Sequence, residues 1–466
     1  MMVLALLAAT LSVGSGTSSA SAPSKPHRDR VTAPAELAAL IARARVPSFT
    51  RQTKLACNAC HNGFPQLTAF GRMFKLNGYT LTGLTSIVSQ QDSAARSTLE
   101  LPPIAPLSVM AIVSATQVSS APPGTQSTTA QFPQELSLFA SAAITSKMGI
   151  FSQFTYEDQS GTFAIDNVDV RFASHTQLNG RDLLYGVTLH NNPTVQDVWN
   201  TTPAWSYPFN SASVAPAPGA STLVEGALGQ SVLGLGAYTL LNDALYAEVT
   251  GYVAAPQGTG LPLDANATDT PRALSPYWRV ALQHQFPSTY LMVGTFGLSA
   301  AIYPSGVSGP TNRFTDVGID AQVERKFGNA MLIGRGSYIH EDQTLSAFFS
   351  EQESQNVSNT LSSYKLNVSY LPDQTHALTL GYFGSSGTRD NVLYAPEAVT
   401  GSSTSSPGSQ GETLEFSVSP WLNARLGVQY VMYQKFNGAT RNYDVAVNGR
   451  SAKDNNTLYV YLWFAY

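Results

Sequence analysis

Apolar and polar residues alternate with a period of two along much of the chain after residue 106. In the segment 316–326, Val317 and Ile319 fall on one face of an extended chain, and Asp320 falls on the other. The segment 425–436 repeats this pattern. Because the side chains of a β-strand point alternately to its two faces, the pattern predicts strands that are apolar on one face and polar on the other.

Turn signals divide the region after residue 106 into sixteen predicted strands. These strands begin near Pro106, Pro133, Ser146, Phe163, Arg181, Val232, Asp243, Pro276, Thr289, Asp316, Ala330, Thr360, His376, Glu412, Asn423 and Thr457. Short turns, such as the one at Asn179, alternate with long polar loops, such as 191–231 and 437–456. This alternation and an even strand number are typical of outer-membrane barrels, so we predict an all-β transmembrane barrel of about 16 antiparallel strands over residues 106–466.

The composition supports this prediction. Charged residues make up 12% of the chain, against about 25% in soluble proteins, and mean hydropathy is −0.05. After the N-terminus, no stretch approaches the roughly twenty consecutive apolar residues of a transmembrane helix. The chain ends in LYVYLWFAY, which resembles the C-terminal strand of outer-membrane proteins. We therefore expect outer-membrane lipid around the barrel, and a net charge of −4 argues against a nucleic-acid partner.

The N-terminus has the pattern of an export signal. Residues 1–11 form an apolar core, and small residues follow, so we expect cleavage after Ala20 or Ala22. The basic residues that usually precede such a core are missing. We predict a signal peptide at residues 1–22 and, from the spacing of its leucines, a short helix at 34–45.

The only two cysteines of the chain, Cys57 and Cys60, form a C-x-x-C-H sequence with His61. This spacing is typical of c-type haem attachment, in which both thiols bond to the haem and the histidine is the proximal ligand of its iron. A redox pair would need a βαβ setting, and a zinc site would need two further ligands nearby, whereas the next histidine is His175. We predict one covalent c-type haem in a partly helical domain over residues 23–105.

The sequence leaves the second axial ligand of the haem iron open. Met73 lies far enough beyond His61 to reach around the edge of a haem, and a thioether ligand would raise the reduction potential. The ordinary alternative, which we favour, is that Met73 packs in the apolar run FGRMFKL. The other candidates are Met110, Met148, His175 and His190.

The run PSFTRQTKLACNACHNGFPQLTAFGRMFKLNGYTL resembles the N-terminal domain of the fused monohaem cytochrome-porins of the bacterial outer membrane. This family includes the outer-membrane iron oxidases of iron-oxidising bacteria. The resemblance implies Cys57, Cys60 and His61 as haem residues. It also implies transfer of electrons from an extracellular donor, with Fe(II) as the first candidate, to a periplasmic cytochrome or another soluble carrier.

The predicted haem domain is too small for a core of its own, so the haem and the barrel wall are expected to complete its burial. The apolar band of an outer-membrane barrel is about 25 Å tall, and a haem at its periplasmic face would leave a long gap for an electron to cross. We therefore expect the domain on the periplasmic side or, more favourably, inside the lumen as a plug.

Two other functions fit the same sequence. A diffusion porin with a structural or sensory haem predicts solute conductance and little redox turnover. A small-molecule haem enzyme with an open sixth position predicts a five-coordinate iron that binds carbon monoxide.

Overall fold

The computed structural model describes residues 47–82, 84, 88–91, 97–99, 106–157, 161–255, 263 and 267–466. The predicted signal peptide at 1–22 and the predicted helix at 34–45 lie outside the described residues.

Sixteen long strands form the wall of a closed antiparallel barrel. The first eight are β1 (Leu107–Val118), β2 (Thr128–Thr145), β3 (Met148–Glu157), β4 (Thr162–Leu178), β5 (Arg181–His190), β6 (Val232–Leu241), β7 (Leu245–Ala254) and β8 (Ser275–Gln285). The last eight are β9 (Thr289–Ser305), β10 (Asn312–Phe327), β11 (Ala330–Thr344), β12 (Ser358–Leu371), β13 (His376–Gly387), β14 (Ser409–Trp421), β15 (Ala424–Lys435) and β16 (Thr457–Ala465).

The barrel closes through the pairing of its first and last strands. β1 and β16 run antiparallel, with Val118 opposite Thr457 at one end and Met110 opposite Ala465 at the other. Closure leaves no edge strand with unpaired backbone groups, which is the condition for a sheet to cross a bilayer. A short additional strand, Thr268–Pro271, pairs with β9 at the rim.

The outer and inner faces of the wall follow the alternation of the sequence. On β10, Val317 and Ile319 are 47% and 59% exposed on the outer face, whereas Asp320 is 4% exposed on the inner face. The outer faces of the other strands are also rich in exposed Leu, Val and Phe side chains. An outward apolar face and a polar interior are the features of an outer-membrane porin fold, so the predicted fold class is confirmed.

Every predicted strand start lies within five residues of an observed one. The two rims also differ as predicted, with short turns such as 179–180 on one rim and long loops such as 388–408 on the other. β1 begins and β16 ends at the short-turn rim. Among the described helices, none is long and apolar enough to cross a membrane.

Residues 47–82, called the plug below, lie inside the barrel. They contain helices α1 (Ser48–Thr53), α2 (Cys57–Cys60) and α3 (Ala69–Leu76), and a small hairpin of His61–Gly63 with Gln66–Leu67. The inward-facing Tyr238 hydroxyl donates to the Leu76 carbonyl at 2.6 Å, and Leu76 is 1% exposed. A segment this short completes its core with the barrel wall, as its length requires.

The loop between β5 and β6, residues 191–231, is called the inserted loop. It leaves the long-loop rim as the sequence predicts, but it folds into the lumen instead of extending outward. Val195 and Trp199 are 0% and 1% exposed, and the Trp199 indole donates to the Tyr290 hydroxyl on β9 at 2.6 Å. The plug and the inserted loop therefore share the lumen and pack against each other.

The remaining described elements are small. Helix α4 (Ser346–Ser350) and the 3₁₀ turn Ala452–Asn455 lie in long loops, and two further 3₁₀ turns, Pro203–Trp205 and Leu223–Glu225, lie in the inserted loop. Val88–Gln91 pairs with Ser97–Leu99 in a separate two-stranded sheet.

Candidate cofactor site in the barrel lumen

Helix α2 brings the two cysteines together. Cys57 and Cys60 are three residues apart on a single helical turn, so they lie on the same side of the helix, and both are free thiols. The helix ends at His61, whose backbone turns to an extended conformation with φ −125° and ψ 132° and whose N–H donates to the Cys57 carbonyl. The local backbone thus gathers all three residues of the predicted attachment motif.

Helix α3 supports this turn from behind. The Thr68 hydroxyl donates to the Ala59 carbonyl at 2.6 Å, and the Thr68 N–H donates to the Cys60 carbonyl at 2.9 Å. The same hydroxyl accepts the Gly71 N–H at 3.1 Å and caps the helix. A Cβ at Gly71 would lie 2.2 Å from the Cys60 oxygen, so only glycine permits this approach of the two helices.

The barrel wall fixes the residues that follow His61. Arg425 on β15 donates to the Phe64 carbonyl at 3.0 Å, and its guanidinium occupies the space that a Cβ at Gly63 would need. The Phe64 ring stacks on Trp463 of β16 with centroids 5.0 Å apart and lies 5.2 Å from the His61 ring. The position of His61 is therefore set by β15 and β16, more than 350 residues further along the chain.

The thiols and His61 line a cavity of about 700 Å³ at the short-turn end of the lumen. This volume lies within the range of roughly 300–1,000 Å³ that is typical of pockets for cofactors and drug-sized ligands. Its aromatic lining includes Phe49, Phe64, Phe139, Phe151, Trp205 and Trp463. The side chains come from the plug, the wall and the inserted loop together.

The environment of the His61 ring favours its neutral form. Burial, with Arg425 adding to its effect, lowers the pKa of His61 to about 4, against the opposing influence of the backbone at Pro65 and Gln66. Its Nδ1 is buried and has no hydrogen-bond partner among the described residues. Neutral imidazole is the form of histidine that ligates metals.

Burial raises the pKa of the Cys60 thiol to about 11, and the neighbouring Cys57 adds to the effect. A reactive thiol of a redox enzyme usually has a lowered pKa, so this environment does not favour a thiolate nucleophile. The cavity size, its aromatic lining, the paired thiols and the neutral imidazole fit a covalently attached c-type haem. Cys57, Cys60 and His61 are the residues that would hold it.

Only some of the sequence candidates for the second axial ligand lie at the cavity. Met73 does not line the cavity but packs against the cluster that contains Leu76 and Trp199, so its position does not support the prediction that it binds the iron. Met110 lines the cavity from β1, and Met331 lines it from β11. Met331 was not among the sequence candidates.

The other three sequence candidates lie elsewhere. His190 is buried and forms hydrogen bonds with Thr188 and Tyr252. His175 forms a hydrogen bond with Asn77 of the plug at 2.7 Å. Phe151 on β3 lines the cavity, so it faces inward. Met148, three residues earlier on the same strand, faces outward.

A charged network joins the plug to the inserted loop. The Lys75 ammonium donates to the carbonyls of Val195 and Asp197 at 2.6 and 2.8 Å. Burial and the nearby Arg171 lower the pKa of Lys75 to about 7, although the Asp169 and Asp197 carboxylates oppose this shift. Lys75 also lines the cavity, so one titratable group contacts both segments that fill the lumen.

Sequence reasoning missed the residues that reach the site from the wall and the inserted loop. Arg425, Trp463 and Trp205 are more than 140 residues from the C-x-x-C-H motif. The inward alternation of β15 and β16 indicates that Arg425 and Trp463 face the lumen, but not that they meet Phe64. The sequence does not indicate where Trp205 points, because its loop has no alternation of apolar and polar residues.

No protein-family model and no curated protein matches the chain. Among solved structures, a loop-deletion variant of OmpT, an outer membrane protein of Vibrio cholerae, is 11% identical, with a TM-score of 0.42 over 77% of this chain and 98% of its own. An anion-selective porin from Comamonas acidovorans is 12% identical, with a TM-score of 0.43 over 77% and 98%. Salmonella typhi OmpF in complex with daunomycin is 11% identical, with a TM-score of 0.44 over 77% and 97%. At this level the similarity does not bear on function.

Proposed function

We propose that the chain is an electron-transfer protein of the bacterial outer membrane that carries single electrons from an extracellular donor to a periplasmic carrier. The observation that carries the proposal is the grouping of Cys57, Cys60 and His61 around an aromatic cavity in the barrel lumen. A c-type haem attached there would supply a one-electron redox centre.

The chain's own residues have three roles in this proposal. The two thiols anchor the cofactor, and the neutral His61 imidazole offers a ligand to its iron. Phe64, Trp463 and Trp205 exclude water from the cavity wall. The apolar outer face of the barrel holds the site in the lipid layer, so that donor and carrier approach it from opposite sides.

Fe(II) is the donor that we favour, and this assignment rests on the resemblance of residues 47–81 to the cytochrome-porins. The lumen contents argue against simple diffusion as the main function, because the plug and the inserted loop lie where an open porin holds water. Met110 and Met331 at the cavity argue against a five-coordinate enzyme, because each offers a thioether ligand.

The proposal is tested on the full-length protein made in a host that matures c-type cytochromes. We expect haem-dependent peroxidase staining of the denatured band, and loss of that stain in the variant with Cys57→Ala and Cys60→Ala. We also expect ferrous iron to produce the reduced haem absorption band in detergent. An unstained wild-type band would overturn the haem assignment, whereas a haem that only other reductants reduce would overturn the iron assignment alone.

A further inference from the structure

Two carboxyl groups face each other inside the barrel, near its long-loop end. Asp316, near the start of β10, lies directly opposite Glu341, near the end of β11, in the register of the sheet. Both residues are 1% exposed. Side chains that are opposite in an antiparallel pair have Cβ atoms about 5 Å apart. Neither residue lines the haem cavity, so this pair is separate from the site described above.

The last part of the inserted loop, residues 219–231, covers the pair and is called the return arm. The Leu223 N–H donates to Glu341 Oε2 at 2.6 Å, and the Val224 N–H donates to Asp316 Oδ2 at 2.7 Å. Both N–H groups lie in the 3₁₀ turn Leu223–Glu225. Each carboxyl group therefore holds the backbone of the return arm by one hydrogen bond.

The donors around the pair are too few for two negative charges. Besides the two backbone N–H groups, the Gln343 amide donates to Glu341 Oε1 at 2.6 Å. Asp316 Oδ1 is buried and receives no hydrogen bond from the part of the chain that the structure describes. All three donors are neutral, and two ionised carboxylates shielded from water repel each other. A proton shared between the two groups removes one charge and supplies the missing donor.

The other ionisable groups near the pair do not neutralise it. Glu225 of the return arm adds a negative charge that acts on both carboxyl groups. Lys365 on β12 is engaged with Glu225, with Nζ and Oε1 3.1 Å apart. Tyr394 of the outer loop at 388–408 interacts with the carboxyl group on β11 and carries no charge as a phenol. His340 and Asp342, also on β11, face the outside of the barrel.

We propose that Asp316 and Glu341 bind one shared proton, that the protonated pair latches the return arm over the lumen, and that loss of this proton releases the arm. With the proton in place, the one negative charge of the pair is stabilised by the N–H groups of Leu223 and Val224. Without it, the second charge lacks a partner and gains water only if the arm moves away. The inference goes beyond the proposed electron transfer, since it assigns a proton-binding site at the outer end of the lumen.

Apolar contacts of the return arm oppose its release at every pH. Leu223, Val224 and Leu228 are 8%, 2% and 1% exposed, and they belong to a buried cluster that includes Tyr252 and Phe296 of the wall. Opening the arm transfers these side chains to water, which is unfavourable. The closed state is therefore the main state at acidic pH, and the shared proton determines how the population of the open state changes with pH.

The direction of the pH effect follows from the protons bound in each state. In the open state water reaches both carboxyl groups, which then lose their protons above about pH 4, as ordinary carboxyl groups do. The closed state retains one proton above this pH, so opening releases a proton. The equilibrium constant for opening therefore rises with pH above about pH 4, by at most about tenfold per pH unit.

Thiol labelling of the full-length protein in detergent measures this opening. In Val224→Cys the thiol is buried while the arm is closed, and it reacts only when the arm opens. Its labelling rate is divided by that of Val447→Cys, which is 75% exposed, so that the pH dependence of thiol ionisation cancels. We expect the ratio to rise severalfold per unit between about pH 5 and pH 8. Mass spectrometry of the labelled peptides reads each site separately from Cys57 and Cys60.

Variants of the pair decide whether the shared proton is the cause. In Asp316→Asn the amide is a permanent donor to Glu341, so the labelling ratio should stay low and lose its pH dependence. Glu341→Gln should behave in the same way, and a heat-modifiable gel shift of each variant shows that the barrel has folded.

The matched control is Asp342→Asn, which removes an exposed carboxylate from the outer face of the same strand and should keep the wild-type slope. A wild-type ratio that does not change with pH would overturn the proposal. The same holds for a wild-type slope in a folded variant that lacks either member of the pair.

Discussion

Arg72 in the plug and Glu324 on β10 form an ion pair inside the barrel, with Nη1 and Oε1 2.7 Å apart. Their side chains are 4% and 11% exposed, and the Arg72 guanidinium lies 4.0 Å above the ring of Tyr290. Breaking a charge pair at this depth is costly, so the pair holds the plug as a fixed part of the lumen.

Breaking this pair should loosen the plug. We expect Glu324→Gln to weaken plug docking by about 3 kcal/mol, because it leaves the buried Arg72 charge uncompensated. The measurement is the rate of proteolysis within residues 47–82 while the barrel stays folded. The double variant Arg72→Met with Glu324→Gln removes both members of the pair and should be cleaved more slowly than the single variant. Wild-type resistance in Glu324→Gln would contradict a plug held by this pair.

Gly71 should be essential for haem attachment. In Gly71→Ala the new methyl group would collide with the Cys60 carbonyl oxygen, so α3 must move away from the turn that holds both thiols. We expect haem staining of the denatured band to fall severalfold, with the barrel still folded. The control is Gly219→Ala, since a Cβ at Gly219 meets no atom within 4 Å. Full haem content in Gly71→Ala would show that the close contact is not required.

Plug stability should rise with pH between about pH 7 and pH 10. The pKa of Lys75 is about 7 in the folded protein and 10.5 in the exposed chain, so the undocked plug binds more protons in this interval. The penalty for burying the ammonium is complete below pH 7 and decreases as the pH rises, with a slope of at most about 1.4 kcal/mol per pH unit.

Proteolysis of the plug across this pH range measures the effect. Lys75→Met should remove most of the slope, because the hydrophobic side chain does not titrate. Lys54→Gln, at an exposed position of the plug, serves as the control and should retain the slope. A wild-type plug that becomes easier to cleave as the pH rises from 7 to 9 would reverse the predicted sign.

The two rims of the barrel should be accessible from opposite sides of the membrane. Val447 is 75% exposed in a long loop, and Ser288 is exposed in a short turn. With the haem thiols occupied, Val447→Cys should react with an impermeant thiol reagent on intact cells, and Ser288→Cys should react only after the outer membrane is opened. Labelling of Ser288→Cys on intact cells would contradict this orientation.

The barrel could be predicted from the sequence because its period is local. Alternation such as that of Val317 and Asp320 fixes which side chains face lipid, and Gly or Pro turns mark where each strand ends. These signals located all sixteen strands. They did not show that the loop at 191–231 enters the lumen, since its burial depends on partners such as Tyr290, almost a hundred residues away.

The candidate site could be predicted only in part for the same reason. The spacing of Cys57, Cys60 and His61 is a local signal, and it predicts haem attachment from the sequence alone. The position of Met73 depends on distant residues. Helix α3 directs one face to the cavity and the other, with Met73, to Trp199 and its neighbours. The sequence spacing allows Met73 to reach a haem bound at His61, but the orientation of α3 places Met73 on the face away from the cavity.

The most direct test of the account follows electrons across a membrane. The protein is reconstituted in lipid vesicles that enclose an oxidised soluble c-type cytochrome, and ferrous iron is added outside. We expect the absorption band of the reduced enclosed cytochrome to appear with the wild-type protein, and to be lost with His61→Ala and with Cys57→Ala plus Cys60→Ala, whose barrels remain folded. Equal reduction with the wild type and with the variant that lacks both thiols would show that iron simply diffuses through the barrel, and would contradict the proposed electron transfer.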